Sequence, residues 1–174
     1  MSKMNKDTKI TRTKDSRHDR ELRRHMLDLL SGGGAHARFE EVVSGIPFKQ
    51  RGTKPAGFLH SAWMLLEHMR IAQWDILEFS RNPKHVSPDW PAGYWPQTEA
   101  PRSPAAWDKS VQQFRRDLRA VQELVERSKT DLFARIPWGD GQTILREALL
   151  IADHNAYHLG QWVDLRRGLG VWPK

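Results

Sequence analysis

The chain has 174 residues, no cysteine and a formal net charge of +7. This length suits one domain with a sizeable core, and the lack of cysteine excludes disulfides, thiolate metal ligands and a cysteine nucleophile. No apolar run resembles a signal peptide or approaches the roughly 18 residues of a membrane span. We therefore expect a cytoplasmic protein with no membrane partner.

Residues 1–17 are rich in lysine and arginine and predict a disordered basic N-terminal tail, followed by one folded domain over residues 18–174. Such a tail could contact nucleic acid or another polyanion, and that hypothesis predicts salt-sensitive DNA binding that disappears when residues 1–17 are removed. The tail contains no aromatic residue that could stack on a base. This composition disfavours nucleic acid as a partner.

The remainder of the chain shows helical rather than strand periodicity. The spacing predicts helices over about residues 19–30, 36–44, 58–80, 104–128 and 144–167, of which the second is short. Pro104 suits a first helical turn, Thr143 suits an N-cap, and Gly168 suits a helix end. The pattern predicts an all-α fold, a four-helix bundle with an extra short helix.

A connection of about 24 residues with six prolines, residues 81–104, joins the third and fourth predicted helices. A connection of this length without regular structure is uncommon in a compact domain and is often functional or closely packed. Four of the eight tryptophans lie in Pro/Gly-rich connections, namely Trp90, Trp95, Trp138 and Trp172. These large rings suggest connections that pack onto the body of the protein.

Two histidines, His154 and His158, are four residues apart in the last predicted helix. Residues at i and i+4 lie on the same helix face, so two imidazoles in this arrangement can bind one metal ion. The neighbours of His154 on that face are largely apolar, which predicts that it faces the interior. Asn155 occupies the position where a zincin helix carries its glutamate, so a helix-borne general base of that kind is absent.

His68 is the candidate third ligand. Its neighbours at three and four positions away are all apolar, so the imidazole needs a polar partner in the core. From spacing alone two interpretations stay open. Either the three histidines bind one metal ion, or each is a structural residue bonded to a backbone carbonyl or a carboxylate.

The sequence gives weaker evidence for a functional role of several other polar residues. Asp153 and Glu147 could accept a hydrogen bond from a metal-binding imidazole, or could simply be solvated surface carboxylates. His60 and His36 could line a pocket or be half-exposed polar residues. No role is predicted for the three remaining histidines, which are His18, His25 and His85.

The segments "HSAWMLLEHMRIAQWDILEF" and "ADHNAYHLGQ" together resemble the DinB-like superfamily of metal-binding four-helix bundles, which includes the YfiT-like hydrolases. The family pattern has one histidine on the second long helix and an HxxxH pair on the fourth. Here those positions are His68, His154 and His158. The resemblance covers roughly residues 19–174 and leaves the basic tail outside it.

The resemblance implies an up-down-down-up four-helix bundle in which the three histidines bind a divalent metal such as nickel, zinc or iron. It also implies an open site for a small-molecule substrate, a homodimer, and activity as a metal-dependent hydrolase or as a transferase that uses a low-molecular-weight thiol. The alternatives are a non-catalytic, stress-related metal-binding protein and polyanion binding through the basic tail. Imidazole ligands do not select among these metals.

Overall fold

The computed structural model describes residues 6–32 and 34–173, and the side chains from residue 16 within those ranges. The described residues form five α-helices and no β-strand, which confirms the all-α prediction. The helices are α1 (Lys6–Ser31), α2 (Phe39–Val43), α3 (Ala62–Arg81), α4 (Pro104–Glu126) and α5 (Ile144–Gly168). Among the described residues, no helix is both long and apolar enough to cross a membrane.

The N-termini of the three long helices that follow α2 are capped by hydroxyl side chains. Ser61, Ser103 and Thr143 each accept a hydrogen bond from a backbone N–H in the first turn of α3, α4 and α5 respectively. The predicted helix start at Pro104 and the predicted cap at Thr143 are confirmed. The third helix begins later than predicted because Ser61 caps it. Gly168 is the last residue of α5, as expected.

The first helix starts earlier than the hydrophobic pattern indicates. The predicted tail falls largely outside the described side chains, since residues 1–5 lie outside the structure's described ranges and only the backbone of residues 6–15 is described. That backbone is helical from Lys6, whereas periodicity predicts a start near residue 19. The segment contains no proline or glycine and many residues with good helix propensity, so nothing in it terminates a helix.

The contacts define an up-down-down-up arrangement of the four long helices. α3 and α4 run in the same direction, because Trp63 packs in one cluster with Trp107 while Leu77 packs in another with Val121. α1 runs opposite to α4, since its Arg23 bonds to the last turn of α4 and its Ser31 bonds to Gln122 one turn earlier. α5 runs opposite to α3, with its C-terminal half in the first cluster and its N-terminal half in the second.

A buried polar link crosses the bundle between these two hydrophobic clusters. The Gln73 side chain of α3 donates to the carbonyl of Phe114 in α4 at 2.8 Å and accepts from the Asn155 amide of α5 at 3.0 Å. Buried polar groups without partners are costly, so these bonds favour one rotation of α5 against α3. That rotation turns the neighbouring histidines of α5 towards α3.

Candidate metal centre

Three imidazoles from two helices converge between α3 and α5. The Nε2 atoms of His68 and His154 are 3.0 Å apart, and one ligand nitrogen from each of His68, His154 and His158 lies within 4.8 Å of the others. His68 and His158 are buried, with 5% and 6% of their surface exposed, and His154 is partly buried. The structure thus brings together the three histidines that the sequence singles out.

Oxygen acceptors fix two of the three rings. Nδ1 of His68 lies 2.9 Å from the backbone carbonyl of Tyr94, and Nδ1 of His158 lies 2.8 Å from Oε1 of Gln161. A carbonyl oxygen can only accept, so in both neutral rings Nδ1 carries the proton and Nε2 keeps its lone pair. This is the tautomer that a metal ligand needs, with the second nitrogen bonded to oxygen.

The carbonyl of Tyr94 is itself held by a buried network that the sequence does not predict. The Tyr94 hydroxyl donates to Oδ2 of Asp75 at 2.6 Å, and Nε2 of His85 lies 2.7 Å from Oδ1 of the same carboxylate. The pKa of Tyr94 is raised to about 12, first by burial and then by Asp75. His85, which the sequence leaves without a role, therefore supports the residue that orients His68.

Trp95 connects the centre to a fourth imidazole. Its indole stacks on His68 at a centroid distance of 4.0 Å and on His60 at 4.1 Å. His60 is half-buried, and its Nδ1 is buried without a hydrogen-bond partner among the described residues. The long connection between α3 and α4 thus supplies both Tyr94 and Trp95 to the centre, which agrees with its predicted close packing.

Burial keeps the three imidazoles uncharged. Desolvation, reinforced by the neighbouring rings, lowers the pKa of His154 to about 3. Desolvation also lowers the pKa of His158 to about 4, against the opposing hydrogen bond to Gln161. The pKa of His68 is lowered by burial as well, although the Tyr94 carbonyl opposes this shift. Neutral imidazole is the form that binds metal ions.

The donor set fits a divalent metal ion. Two nitrogens that are each about 2.1 Å from one ion are roughly 3.0–3.4 Å apart, which matches the separation of the His68 and His154 nitrogens. The group contains only neutral nitrogen donors, which suit zinc, nickel, copper and iron alike. The same separation also suits a hydrogen bond from His154 to His68 in the metal-free protein.

Neither of the two carboxylates considered as possible partners of the imidazoles lies in the centre. Asp153 is exposed, and no hydrogen bond joins it to a histidine among the described residues. Glu147 is buried at 3% exposure, so it is not a solvated surface group, and its partner is Arg146 at 2.8 Å. Burial raises the pKa of Glu147. The observed partners are the backbone carbonyl of Tyr94, which has no side-chain signature, and the side chain of Gln161, whose i, i+3 spacing from His158 could have indicated it.

His36 also has no place in this centre. Its Nδ1 bonds to the adjacent carbonyl of Ala37, and it lies beside α1.

The tryptophans of the connections differ in how they pack. Trp95 is packed as expected, but Trp90 is 77% exposed, so the expectation is wrong for that residue.

The fold and the centre define a class of protein, an α-helical bundle with a three-histidine group between two of its antiparallel helices. The chain belongs to the DinB superfamily, whose sequence profile matches residues 34–162. Residues 34–162 include His68, His154 and His158, together with the connection that provides the hydrogen-bond acceptor of His68. Among curated proteins none matches the chain, and among solved structures none matches it either.

Proposed function

We propose that His68, His154 and His158 bind one divalent metal ion and that the protein is a metal-dependent hydrolase or a transferase that uses a low-molecular-weight thiol. One observation carries this proposal. Three neutral imidazoles converge, two of them buried and one partly buried, and the two buried rings have Nδ1 fixed on an oxygen acceptor so that Nε2 keeps its lone pair. Each of these two rings already has an oxygen partner on Nδ1, and both rings also lie against the imidazole of His154.

An ion bound there would supply an acidic position at which water or a thiol loses its proton near neutral pH. The residues of the chain hold and shield that position. Tyr94 and Gln161 orient two rings, and Trp95 covers His68 on one side. Among the described residues, the group of possible ligands contains imidazoles alone, without a carboxylate. This composition supports a reaction whose nucleophile comes from solvent or from a thiol rather than from the chain.

The metal proposal is tested by elemental mass spectrometry on the full chain, purified without a histidine tag and then incubated with zinc or nickel. We expect about one ion per chain, lost in the double variant His154→Ala/His158→Ala. The matched control is His18→Ala/His25→Ala, which removes two exposed histidines from α1. A wild-type protein that stays metal-free, or a control that loses the ion equally, would overturn the proposal.

The reaction is tested on the metal-loaded protein with two pairs of reagents. Glutathione with 1-chloro-2,4-dinitrobenzene reports thiol transfer, in which a sulfur–carbon bond forms and chloride leaves. An activated ester reports hydrolysis. Thiol transfer or ester hydrolysis that disappears in His154→Ala/His158→Ala supports an enzymatic function. Metal binding without either reaction would favour the non-catalytic alternative. The homodimer stays a prediction.

A further inference from the structure

A pocket with a volume of about 380 Å³ adjoins the three-histidine group. It lies between the segment that precedes α3 and the C-terminal half of α5, and we call it the α5 pocket. Its walls include Phe58, Leu59, His60, Tyr157, Gln161 and Asp164. Its volume is in the range of small-molecule sites.

The α5 pocket shares residues with the supports of the histidine group on two sides. Gln161 lines it and also accepts the hydrogen bond of His158. The Tyr157 ring lies 4.9 Å from the ring of His158. On the other side, His60 stacks on Trp95, which stacks on His68. A molecule in this pocket would therefore lie against the groups that orient the reactive centre.

The walls favour an uncharged, partly apolar ligand. Leu59 and Tyr157 are 80% and 64% exposed, so apolar surface is available where the pocket meets solvent. The one charged wall residue, Asp164, pairs with Arg167 at 3.1 Å. No lining residue is a lysine or an arginine that could bind an anion. Apolar walls with a few polar groups are typical of sites for neutral organic molecules.

His60 is the polar wall group with unused hydrogen-bonding capacity. Its Nδ1 is buried and has no partner among the described residues. The nitrogen that a ligand in the pocket can reach is therefore Nε2, which also forms no hydrogen bond among those residues. Stacking on Trp95 holds the ring in place, so its nitrogens have a fixed direction. A ligand hydroxyl can donate to or accept from a neutral imidazole, whichever tautomer is present.

We propose that the α5 pocket binds the non-reacting part of the substrate, an uncharged aromatic group with a hydroxyl substituent, and that His60 hydrogen-bonds that hydroxyl. As a substrate pocket it rests on the proposed function, because it serves the metal centre next to it. The claim that the pocket binds a ligand depends only on the pocket and not on the metal. The ring packs against Phe58 and Tyr157, and the hydroxyl reaches the imidazole.

The probe is phenol, with anisole as the matched ligand that cannot donate a hydrogen bond. Both are titrated into the full-length ¹⁵N-labelled protein, with and without zinc, and followed by amide and indole chemical shifts. We expect saturable shifts at Tyr157, Gln161 and Trp95, with phenol about fivefold tighter than anisole. In His60→Phe, which keeps a ring against Trp95, the two ligands should bind equally.

A second pair of variants separates the pocket from general surface binding. Leu59→Ser removes apolar surface at the pocket, whereas Val86→Ser changes an equally exposed residue outside it, 83% against 80% exposed. Phenol should bind about threefold more weakly to the first variant and unchanged to the second. Equal effects, no shifts at the pocket residues, or a phenol preference that persists in His60→Phe would overturn the inference.

Failure of the proposed function can be distinguished from failure of the pocket proposal. The metal content of the same samples is measured by elemental mass spectrometry, independently of phenol binding. Phenol binding at the α5 pocket in a protein that takes up no metal would support the pocket and overturn the metal centre. Metal uptake without phenol binding would support the metal centre and overturn the pocket proposal.

Discussion

The Nδ1 atom of His68 donates a hydrogen bond to the backbone carbonyl of Tyr94 at 2.9 Å, and this bond makes the α3–α4 connection part of the candidate metal centre. The carbonyl determines which nitrogen of His68 carries the proton. The Tyr94 hydroxyl bonds to Asp75 and so anchors the residue that provides this carbonyl. The orientation of the His68 ring therefore depends indirectly, through Tyr94, on the buried carboxylate of Asp75.

Loss of the Tyr94 hydroxyl should weaken metal binding without removing a ligand. In Tyr94→Phe the bond to Asp75 disappears and the carbonyl that orients His68 is held less firmly, so we expect about tenfold lower zinc affinity. Competition with a chromophoric chelator measures this. Tyr157→Phe is the matched control because its side chain is 64% exposed and should leave affinity within twofold. Equal affinities for both variants would remove Tyr94 from this role.

A rescue experiment can test the role of Gln161 as the hydrogen-bond acceptor of His158. Gln161→Met removes the oxygen at 2.8 Å from Nδ1, so the ring loses its orientation and zinc affinity should fall about 10–100-fold. Gln161→Glu restores an oxygen acceptor and should recover most of the affinity. The absorption spectrum of the cobalt-substituted protein adds a readout of ligand geometry. If methionine and glutamate behave alike, the hydrogen bond does not orient the ligand.

The metal-free protein should lose stability as the pH falls below neutrality. The pKa values of His154 and His158 lie at about 3 and about 4 in the folded state, below the ordinary value of 6.5. Between pH 6.5 and pH 4 the unfolded state therefore binds more protons than the folded state, so acidification favours unfolding. From pH 7 to pH 5 we expect the free energy of unfolding to fall by roughly 2–4 kcal/mol.

Urea unfolding at both pH values, with a chelator present, measures this difference. His154→Ala/His158→Ala should show a much smaller decrease, because the two depressed groups are gone. Glu147 contributes in the opposite direction, since its pKa is raised by burial and its protonation favours the folded state. The comparison between wild type and variant cancels that contribution. An unchanged slope in the variant would contradict the assignment to these histidines.

Arg166 should be a large contributor to stability at the C-terminus. It is 2% exposed, and its guanidinium donates to the carbonyls of Glu41, Val42 and Val171. Arg166→Met leaves these acceptors without partners, so we expect a loss of about 2–4 kcal/mol in the free energy of unfolding. Denaturant titration measures the change.

The neighbouring residue provides a matched control. Arg167 is exposed and pairs with Asp164 at 3.1 Å, so Arg167→Met should cost less than about 0.5 kcal/mol. Similar losses in the two variants would mean that burial and carbonyl contacts at Arg166 do not determine its effect.

The helical elements and the three convergent histidines follow from sequence patterns. Periodicity and capping chemistry predict α3, α4 and α5 because the signals are local: an N-cap hydroxyl such as Thr143, a first-turn proline at Pro104, and apolar spacing. The i, i+4 spacing of His154 and His158 places both on one face for the same reason. Their meeting with His68 depends on long-range packing, and there the family resemblance supplied what the spacing left open.

The supports of the site were not predictable in the same way. The Tyr94 carbonyl carries no residue-type signal, and the pairing of Asp75 with His85 depends on how an irregular connection folds back onto α3. Neither alternative considered for Glu147 holds, because this carboxylate is buried beside Arg146 and is neither a partner of an imidazole nor a solvated surface group. Composition similarly obscured the start of α1, because a highly charged segment can still be helical.

The connection between α3 and α4 has a further consequence for how the protein responds to a ligand. Because it provides Tyr94 and Trp95, its docked form is the form in which the histidine group is oriented. Any ion that binds this form alone must stabilise the docked connection by the same free energy with which docking increases affinity for the ion. We therefore expect the resistance of residues 82–103 to protease cleavage to increase if the histidine group takes up a metal ion.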